Sequence, residues 1–469
     1  MSKSLHWHHF ATGYSSMGDG WTSLPGGGRR HWGVGMGDDF FLLVERMKPE
    51  GFDRMEAVRI RKRVMWRLIR LVDGNVHDPR QGGKVRHPLK NIIVFAFLAV
   101  LGGVNNFHAM EAFCKSREKL KIARIFLGPD AQGPSHDTFE RVFSLLEPSE
   151  MSMVVRVFLL SVFETTLEVV KKGKGDGVRH ICIDGKEGRG SGRLHGCGAQ
   201  IPNNQVLHVY DANMGICLHS EPIDSKTNEI PVAQRILQGM DLARTVVTFD
   251  AMNTQRQTLA IIAGRGGWYV GGLKGNHKSL AEEARQLFDE KELQRSLGDR
   301  RRHWEGPVEK AGGKVVVRKV YTMPIGGGLF EGWEGVCTLV RYDRRSEDMN
   351  RGTVSEETRY YLSNMDEPAK TLGQVIRRHW EIESLHRYLD VMYRDDENAT
   401  TDKNAYTNLG IIKKLSLSLH KHMRAIKGDA YVADIRKKFL YDYHNTLMDL
   451  LHYCDLPTIR RWLDDKDPR

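Results

Sequence analysis

The apolar pattern of this chain changes period twice, and that restricts it to a helical region, an α/β region and a second helical region. Residues 85–172 read as helix throughout, from the apolar run "NIIVFAFLAVLGGV" through "HAMEAFCKSREKLKIARIF" to "PSHDTFERVFSLLEP". In the last of these, Pro134 and Ser135 supply a helix-start signal, and Phe139, Val142, Phe143 and Leu146 recur at helical spacing. At residue 179 the pattern becomes strand-like. "HICID", "QVLHVYDA" and "GICLHSEP" are short β-rich runs, the last two separated by Asn213 and Gly215 as in an antiparallel hairpin. A helix ("NEIPVAQRILQGM"), a strand ("TVVTFDA"), a helix ("TQRQTLAIIAGRG") and a strand ("GWYVGGLKGN") follow. That order specifies a mixed α/β sheet. Residues 278–298 read as a charged helix, and "KVVVRKVYTM", "GVCTLVRYDR" and "TRYYLSN" as a β-rich block inserted in the α/β region. From residue 368 the pattern is helical again.

The 469 residues suffice for two or three domains with real cores. A net charge of +11, from 70 basic and 59 acidic residues, favours a polyanionic partner, and nucleic acid is the usual one. Six scattered cysteines without a C-x-x-C pair fit free thiols in a reducing compartment. His195 and Cys197 lack a second ligand pair at zinc-site spacing. The run at 91–104 is too short to span a bilayer and reads as a buried helix, and no signal peptide is visible. Residues 1–55 form a glycine-rich tail without sustained period, expected to be poorly ordered. Its "HWHHF" cluster has no partner carboxylate or thiolate nearby, and Met36 and Met55 are alternative starts. Residues 56–76 read as a basic helix, "AVRIRKRVMWRLIRLV".

Asp184 and Asp250 each end an expected core strand. A carboxylate there can emerge at the edge of a sheet, where a site can sit, although a strand-end aspartate is also a common turn former or cap. The ribonuclease-H-like fold is one topology that sets two such strands side by side and adds a third carboxylate from a later helix. Three clustered carboxylates bind two divalent ions about 3.5–4 Å apart, which activate a nucleophile and stabilise the leaving oxygen of a phosphodiester. The stretch "RRHWEIESLH" at 377–386 offers Glu381 and Glu383, two residues apart and so on different helix faces. His379, Glu383, His386 and Asp390 share a face, but H-x-x-x-E-x-x-H is not the zinc-protease word H-E-x-x-H. Glu229 is a rival third carboxylate at a helix start, where capping would account for it, and Asn253 and Gln255 either orient substrate or begin a helix.

Five words stand in order: "IDGKEGRGS" (183–191), "SKTNEIP" (225–231), "TFDAMNTQ" (248–255), "YVGGLKGN" (269–276) and "IRRHWEIESLHRYLDV" (376–391). Together they resemble the DDE transposases of bacterial insertion sequences, specifically the H-repeat-associated type found with Rhs elements. "DPR" (78–80), "HPL" (87–89) and "GPSHDTFERVF" (133–143) resemble that family's helical N-terminal associated domain. The resemblance covers roughly residues 75–450. It implies an α/β, ribonuclease-H-like catalytic domain at 173–427 with a β-rich insertion at about 299–366. An all-helical DNA-binding domain at 56–172 precedes it, and a helical tail at 428–469 follows.

The resemblance also implies that Asp184, Asp250 and Glu383 form the catalytic, metal-binding triad, with Glu383 placed by the word R-H-W-x-I-E. Two Mg²⁺ ions, for which Mn²⁺ can substitute, would serve end cleavage and strand transfer alike. Lys186, Arg189, Lys226, Lys274, Arg378 and His379 become candidate DNA contacts, with solvated surface charge as the plain alternative for the basic ones. The implied partners are double-stranded DNA, as terminal inverted repeats and as target, and further copies of the chain on paired ends. No membrane is implied, and the setting is the nucleoid of a bacterial cytoplasm. Ser384, Arg387, Thr227 and Val316 depart from the family's usual Asn, Trp, Ser and Glu, and none of these removes a triad carboxylate. The alternatives are a decayed or repurposed DNA-binding copy, and a ribonuclease-H-like nuclease that cuts without terminal-sequence dependence.

Overall fold

The computed structural model describes residues 54–171, 178–194, 200–311, 313–325, 330–427 and 431–455. The glycine-rich tail with its "HWHHF" cluster, the His195/Cys197 pair and residues 456–469 lie outside the described residues. The chain divides into two compact units. The division passes within two elements: strand β1 (Arg179–Gly188) changes unit after Asp184, and the long helix Ala369–Tyr393 changes unit after Trp380.

One unit is largely helical. Its N-terminal part runs α1 (Arg54–Asn75), α2 (Leu89–Leu101), α3 (Phe107–Lys115), α4 (Arg117–Leu127), α5 (His136–Leu145) and α6 (Pro148–Lys171). Local chemistry sets these boundaries. Asn106 caps α3 by accepting the Ala109 amide, and Ser135 caps α5 by accepting that of Thr138, as the Pro–Ser signal predicts. The apolar run at 91–104 is α2 and is buried nearly throughout. No helix among the described residues is long and apolar enough to cross a membrane.

The same unit holds the far half of β1, a two-stranded pair β2 (Arg193–Leu194) and β3 (Gln200–Ile201), and the hairpin of β4 (Asn204–Asp211) and β5 (Ile216–Ile223). The hairpin turn is closed by Asp211, whose Oδ1 accepts the Asn213 and Met214 amides. Gly215 there takes φ +70°, a conformation that favours glycine. The strand order in this unit is β5-β4-β1.

The other unit holds the rest of the sheet. After β5 the chain passes through α7 (Glu229–Gly239) to β6 (Thr245–Phe249), and through α8 (Arg256–Gly264) to β7 (Trp268–Leu273). β1, β6 and β7 run parallel, and every residue of β6 is buried, as expected for a strand covered on both faces. Helices α9 (Lys278–Leu287) and α10 (Glu290–Leu297) follow, where the sequence reads as one charged helix. Asp289 interrupts it by capping α10 through the Glu292 amide.

The β-rich block contains β8 (His303–Glu305), β9 (Glu309–Ala311), β10 (Lys314–Pro324), β11 (Thr338–Asp348) and β12 (Thr353–Ser363). It continues the central sheet: β12 pairs antiparallel with β7, giving the order β1-β6-β7-β12-β11-β10-β8, with β9 on β10. β4 pairs antiparallel with β5, β6 and β7 run parallel with β1, and β12 runs antiparallel to β7, which makes the mixed sheet of the α/β fold expected from the sequence. Helix α11 (Ala369–Tyr393) packs its first turns on this sheet through Ala369, Leu372 and Ile376, which share one core with Val246, Val270, Val320 and Tyr342.

The C-terminal helices α12 (Lys403–Lys427), α13 (Val432–Tyr441) and α14 (Tyr443–Tyr453) belong to the helical unit. They pack among themselves, and α12 and α14 also pack against the N-terminal helices. The described helices of the C-terminal segment, Val432–Tyr441 and Tyr443–Tyr453, are therefore part of a core. Its buried histidines carry a consequence. Burial lowers His420 to about 3 and His422 to about 4. Each is neutral in the fold and takes up a proton on unfolding below the ordinary histidine value of about 6.5. Stability is fully present above that value and falls as pH drops toward 4. Urea midpoints measured from pH 7.5 to 4.5 should decline across this window, whereas a flat profile would contradict the burial.

Candidate active site

The site grows from one register. In the parallel pair β1·β6 the last matched residues are Ile183 and Phe249, so Asp184 and Asp250 are the next residue on each strand. Neighbouring strands lie about 4.8 Å apart. The two half-buried aspartates therefore leave the same end of the sheet side by side. Asp184 does not end its strand, however: β1 runs on to Gly188, while β6 stops at Phe249.

What stops β6 is the turn built by Asp250. Its Oδ1 accepts the Asn253 amide at 3.1 Å and Asn253 Nδ2 at 3.3 Å, and its carbonyl accepts the Thr254 hydroxyl at 3.1 Å. Asn253 Nδ2 also donates to Glu229 Oε2 at 3.1 Å. Asn253 is 1% exposed, and its Oδ1 has no hydrogen-bond partner among the described residues. One amide thus clamps two carboxylates. Burial, and next the Asp250 charge, raise the Glu229 pKa. The sequence reading assigned Glu229 a capping role, but Asn228 caps α7 by accepting the Ile230 amide, which leaves the Glu229 side chain for Asn253. The clamp was missed because its partners sit in two separate words, "KTNEIP" and "TFDAMN"; their joint presence was the available signal.

Close approach of β7 completes the support. A Cβ on Gly271 would lie 2.8 Å from both the Phe249 ring and the Thr254 hydroxyl. Gly271→Ala must therefore displace the turn that carries Asp250. A loss of about 1–3 kcal/mol in chemical denaturation is expected for such overpacking.

Helix α11 carries the "RRHWEIESLH" word. His379 Nδ1 lies 3.1 Å from the Thr248 hydroxyl of β6, which also lies 3.0 Å from His180 Nε2 of β1. Burial lowers His379 to about 4, against the opposing pull of the Asp250 charge. It is neutral at pH 7, so any phosphate contact it made would be a hydrogen bond and not a charge. Trp380 sits edge-on to Tyr342, with the Arg318 and Arg359 guanidiniums 5.6 and 5.7 Å from its ring centre. Arg377 pairs with Glu309 at 2.7 Å. Glu309 stands directly across from Val316 in the β9·β10 pair and also binds Arg318 at 3.0 Å.

Glu383 is exposed, one helical turn after His379, and belongs to the helical unit. In that unit Lys186 is buried, with its ammonium 2.6 Å from Asp390 and 3.2 Å from Asp396. Its charge is spent inside the protein, which does not fit the expected phosphate contact. Asp390 is correspondingly a structural partner. Beside it, Asp395 binds the fully buried Lys413 at 2.7 Å and accepts the Tyr406 hydroxyl at 2.8 Å. Burial works to raise Asp395, yet the Lys413 ammonium holds it below the usual carboxylate range. Asp395→Ala would strand the Lys413 charge, and a destabilisation of about 3–5 kcal/mol in urea unfolding is expected. Arg189, Lys226 and Lys274 are exposed, and Arg378 is half-buried.

Among the described residues no three His, Cys, Asp or Glu side chains already stand as a metal site. The Asp184 and Asp250 donors nevertheless suit a hard cation. Mg²⁺ keeps several waters and takes one or two carboxylates plus substrate phosphates, and two adjacent aspartates supply that set. With Oδ1 of Asp250 committed to Asn253, Oδ2 is left for such an ion.

Two aspartates on neighbouring parallel strands of a mixed sheet form the candidate site, and comparison with known proteins gives the family. The Transposase DDE domain matches residues 176–419, and the DDE_Tnp_1-associated region matches 74–159. The chain belongs to the DDE transposase family. Its relatives include YncI of Escherichia coli O157:H7, assigned as a transposase, at 28% identity over 75% of this chain and 87% of that protein. An uncharacterized protein from the dhlA 3′ region of Xanthobacter autotrophicus is 31% identical over 62% of this chain and 92% of its own length. The H repeat-associated YhhI of Escherichia coli (strain K12), also assigned as a transposase, is 24% identical over 75% and 90%. Among solved structures, a piggyBac transposase in a synaptic complex with hairpin DNA is similar over 90% of this chain and 84% of that one, at 13% identity and a TM-score of 0.37. That score gives no residue-to-residue correspondence.

Proposed function

We propose that this protein is an insertion-sequence transposase that cuts DNA at the ends of its own element and joins the freed 3′-hydroxyl to target DNA. The observation that carries the proposal is the Asp184/Asp250 pair at the end of β1·β6, read with membership of the DDE family. Asp184, Asp250 and Glu383 are the proposed metal carboxylates, for two Mg²⁺ ions or for Mn²⁺. Bound there, such ions activate the attacking oxygen and stabilise the leaving one, so that the same site serves both in-line displacements. The protein's own part is positional. Asn253 holds the Asp250 carboxylate in one orientation, Glu229 holds Asn253, and His379 pins α11 to β6. Asn253→Ala is expected to weaken Mg²⁺ affinity about 10–100-fold, as loss of an outer partner of a metal ligand does. Calorimetric Mg²⁺ titration checks this, and an unchanged affinity would remove the clamp from the mechanism.

DNA is the proposed partner, contacted by the exposed Arg189, Lys226 and Lys274 and by Arg378. Helix α1 supports a role for residues 56–172 in end recognition. Ile60, Val64, Met65, Leu68 and Val72 are spent on the core, while Arg59, Lys62, Trp66 and Arg70 line the outward face, with Trp66 54% exposed. An exposed row of cations of this kind suits a nucleic-acid backbone. Paired ends call for at least two copies of the chain.

The deciding experiment incubates purified protein with Mg²⁺ and duplexes carrying the DNA that brackets its reading frame. Cutting and joining at defined terminal positions is expected. Cutting without regard to terminal sequence would indicate a nuclease, and binding without cutting a decayed copy.

A further inference from the structure

Beside the Asp250 turn lies a groove of ≈ 600 Å³. It is lined by Arg256 at the start of α8, by Asn276, His277, Lys278 and Ser279 at the start of α9, and by Trp333. Two hydrogen bonds fasten it to the turn: Asn276 Nδ2 donates to the Ala251 carbonyl and His277 Nε2 to the Thr254 carbonyl, both at 2.7 Å. Whatever occupies the groove is therefore held next to Asp250.

The chemistry of the walls selects an anion. Among the described residues, no carboxylate pairs with Arg256, Lys278 or the adjacent exposed Lys274. Nearby cations of the same unit are paired, such as Arg285 with Glu282, Arg301 with Asp366 and Arg302 with Glu292. The first turn of α9 has neither an acidic residue nor a side-chain cap, so its amides add to the positive field. Arg256 is also held in place. Its guanidinium stacks 5.6 Å from the Trp333 ring centre, and the His277 ring stands edge-on to the same indole at 5.4 Å. Trp333 is buried, so it serves as a platform for the arginine and not as a surface for a base.

We infer that this groove is a phosphate subsite that holds the sugar–phosphate backbone of a DNA strand beside Asp250, through Arg256, Lys274 and Lys278. The inference rests on DNA being the substrate. It adds Arg256, Lys278 and Trp333 to the residues that handle it. It also assigns them a contact that is independent of sequence, because phosphates are the same on every strand.

The test uses the full chain in EDTA, so that binding is read without cleavage. The probes are two fluorescein-labelled duplexes: one from the DNA bracketing the reading frame and one of equal length with scrambled sequence. Affinity is measured by anisotropy between 50 and 200 mM salt. Each lost phosphate contact lowers the slope of log K against log salt by about 0.9, so the double variant R256A/K278A should lose about 1.8. Its affinity should consequently change roughly tenfold less than wild type across that range, equally for both duplexes. R256K keeps the charge and should keep the slope. Both substituted side chains are exposed, and circular dichroism checks that the variants fold.

An unchanged slope in R256A/K278A, with wild type binding normally, overturns the subsite and leaves the transposase reading intact. An effect confined to one duplex indicates sequence reading and overturns the phosphate assignment. Wild type that binds neither duplex overturns both. The expected slopes in a protein that never cuts its ends in Mg²⁺ would support the subsite and overturn the transposase reading.

Discussion

Asp250→Asn is expected to reduce Mg²⁺-dependent end cleavage by at least about 10³-fold while leaving DNA binding within about twofold. The size follows from what the carboxylate does. A bound divalent ion supplies several kcal/mol of transition-state stabilisation, and each 1.36 kcal/mol is a factor of ten. The amide removes the anionic donor but preserves shape. Its oxygen can still accept the Asn253 amide that shapes the turn after β6, so the loss should be chemical and not structural. Asp184→Asn should behave alike, since it occupies the neighbouring strand position. Cleavage of a labelled terminal duplex, with anisotropy on the same duplex, separates the two quantities. Cleavage retained in either variant would take these aspartates out of the site.

The second large effect is a contrast within one helix. Glu383→Gln should silence cleavage to a similar degree, and Glu381→Gln should leave it within about threefold. The side chains face different ways because they are two residues apart on α11. Glu383 is exposed, whereas Glu381 is half-buried, and its charge partly offsets the burial that lowers the half-buried Lys421 to about 8. Glu381 therefore has a structural occupation that Gln only partly fills, and a modest loss of stability is the effect to look for. Equal loss of cleavage in both variants would show that the third carboxylate was placed in the wrong register.

Much of this was readable before any coordinates, for physical reasons that differ by element. The Pro134–Ser135 start, the Asn213–Gly215 turn and the alternation of strand and helix through 179–276 are local signals, and local chemistry enforces them. The fate of the β-rich block was not local. "TRYYLSN" reads as a strand, but nothing in it states that the strand pairs with β7 and widens the central sheet. Lys186 shows the same limit for the site. Its place in the "IDGKEG" word suggested a phosphate contact, and only the fold brings Asp390 and Asp396 from about 200 positions away to neutralise it. The Asn253 clamp depended on two words meeting in space, whereas Asp250 needed only the end of its own strand, and Asp184 proved to lie within a longer β1.

The pairing of Glu309 with Val316 bears on how such a chain can drift. Relatives are expected to carry a glutamate at the Val316 position, yet here the negative charge enters from the facing strand and still meets Arg318 and Arg377. At that point of the sheet one carboxylate bridges two arginines, and a side chain at the facing Val316 position points to the same spot. Moving the carboxylate in a single engineered chain, by Glu309→Val with Val316→Glu, should then restore a stability that Glu309→Val alone forfeits. A departure from the family pattern can thus be a relocation of charge across one strand pair and leave the active-site helix as firmly seated as before.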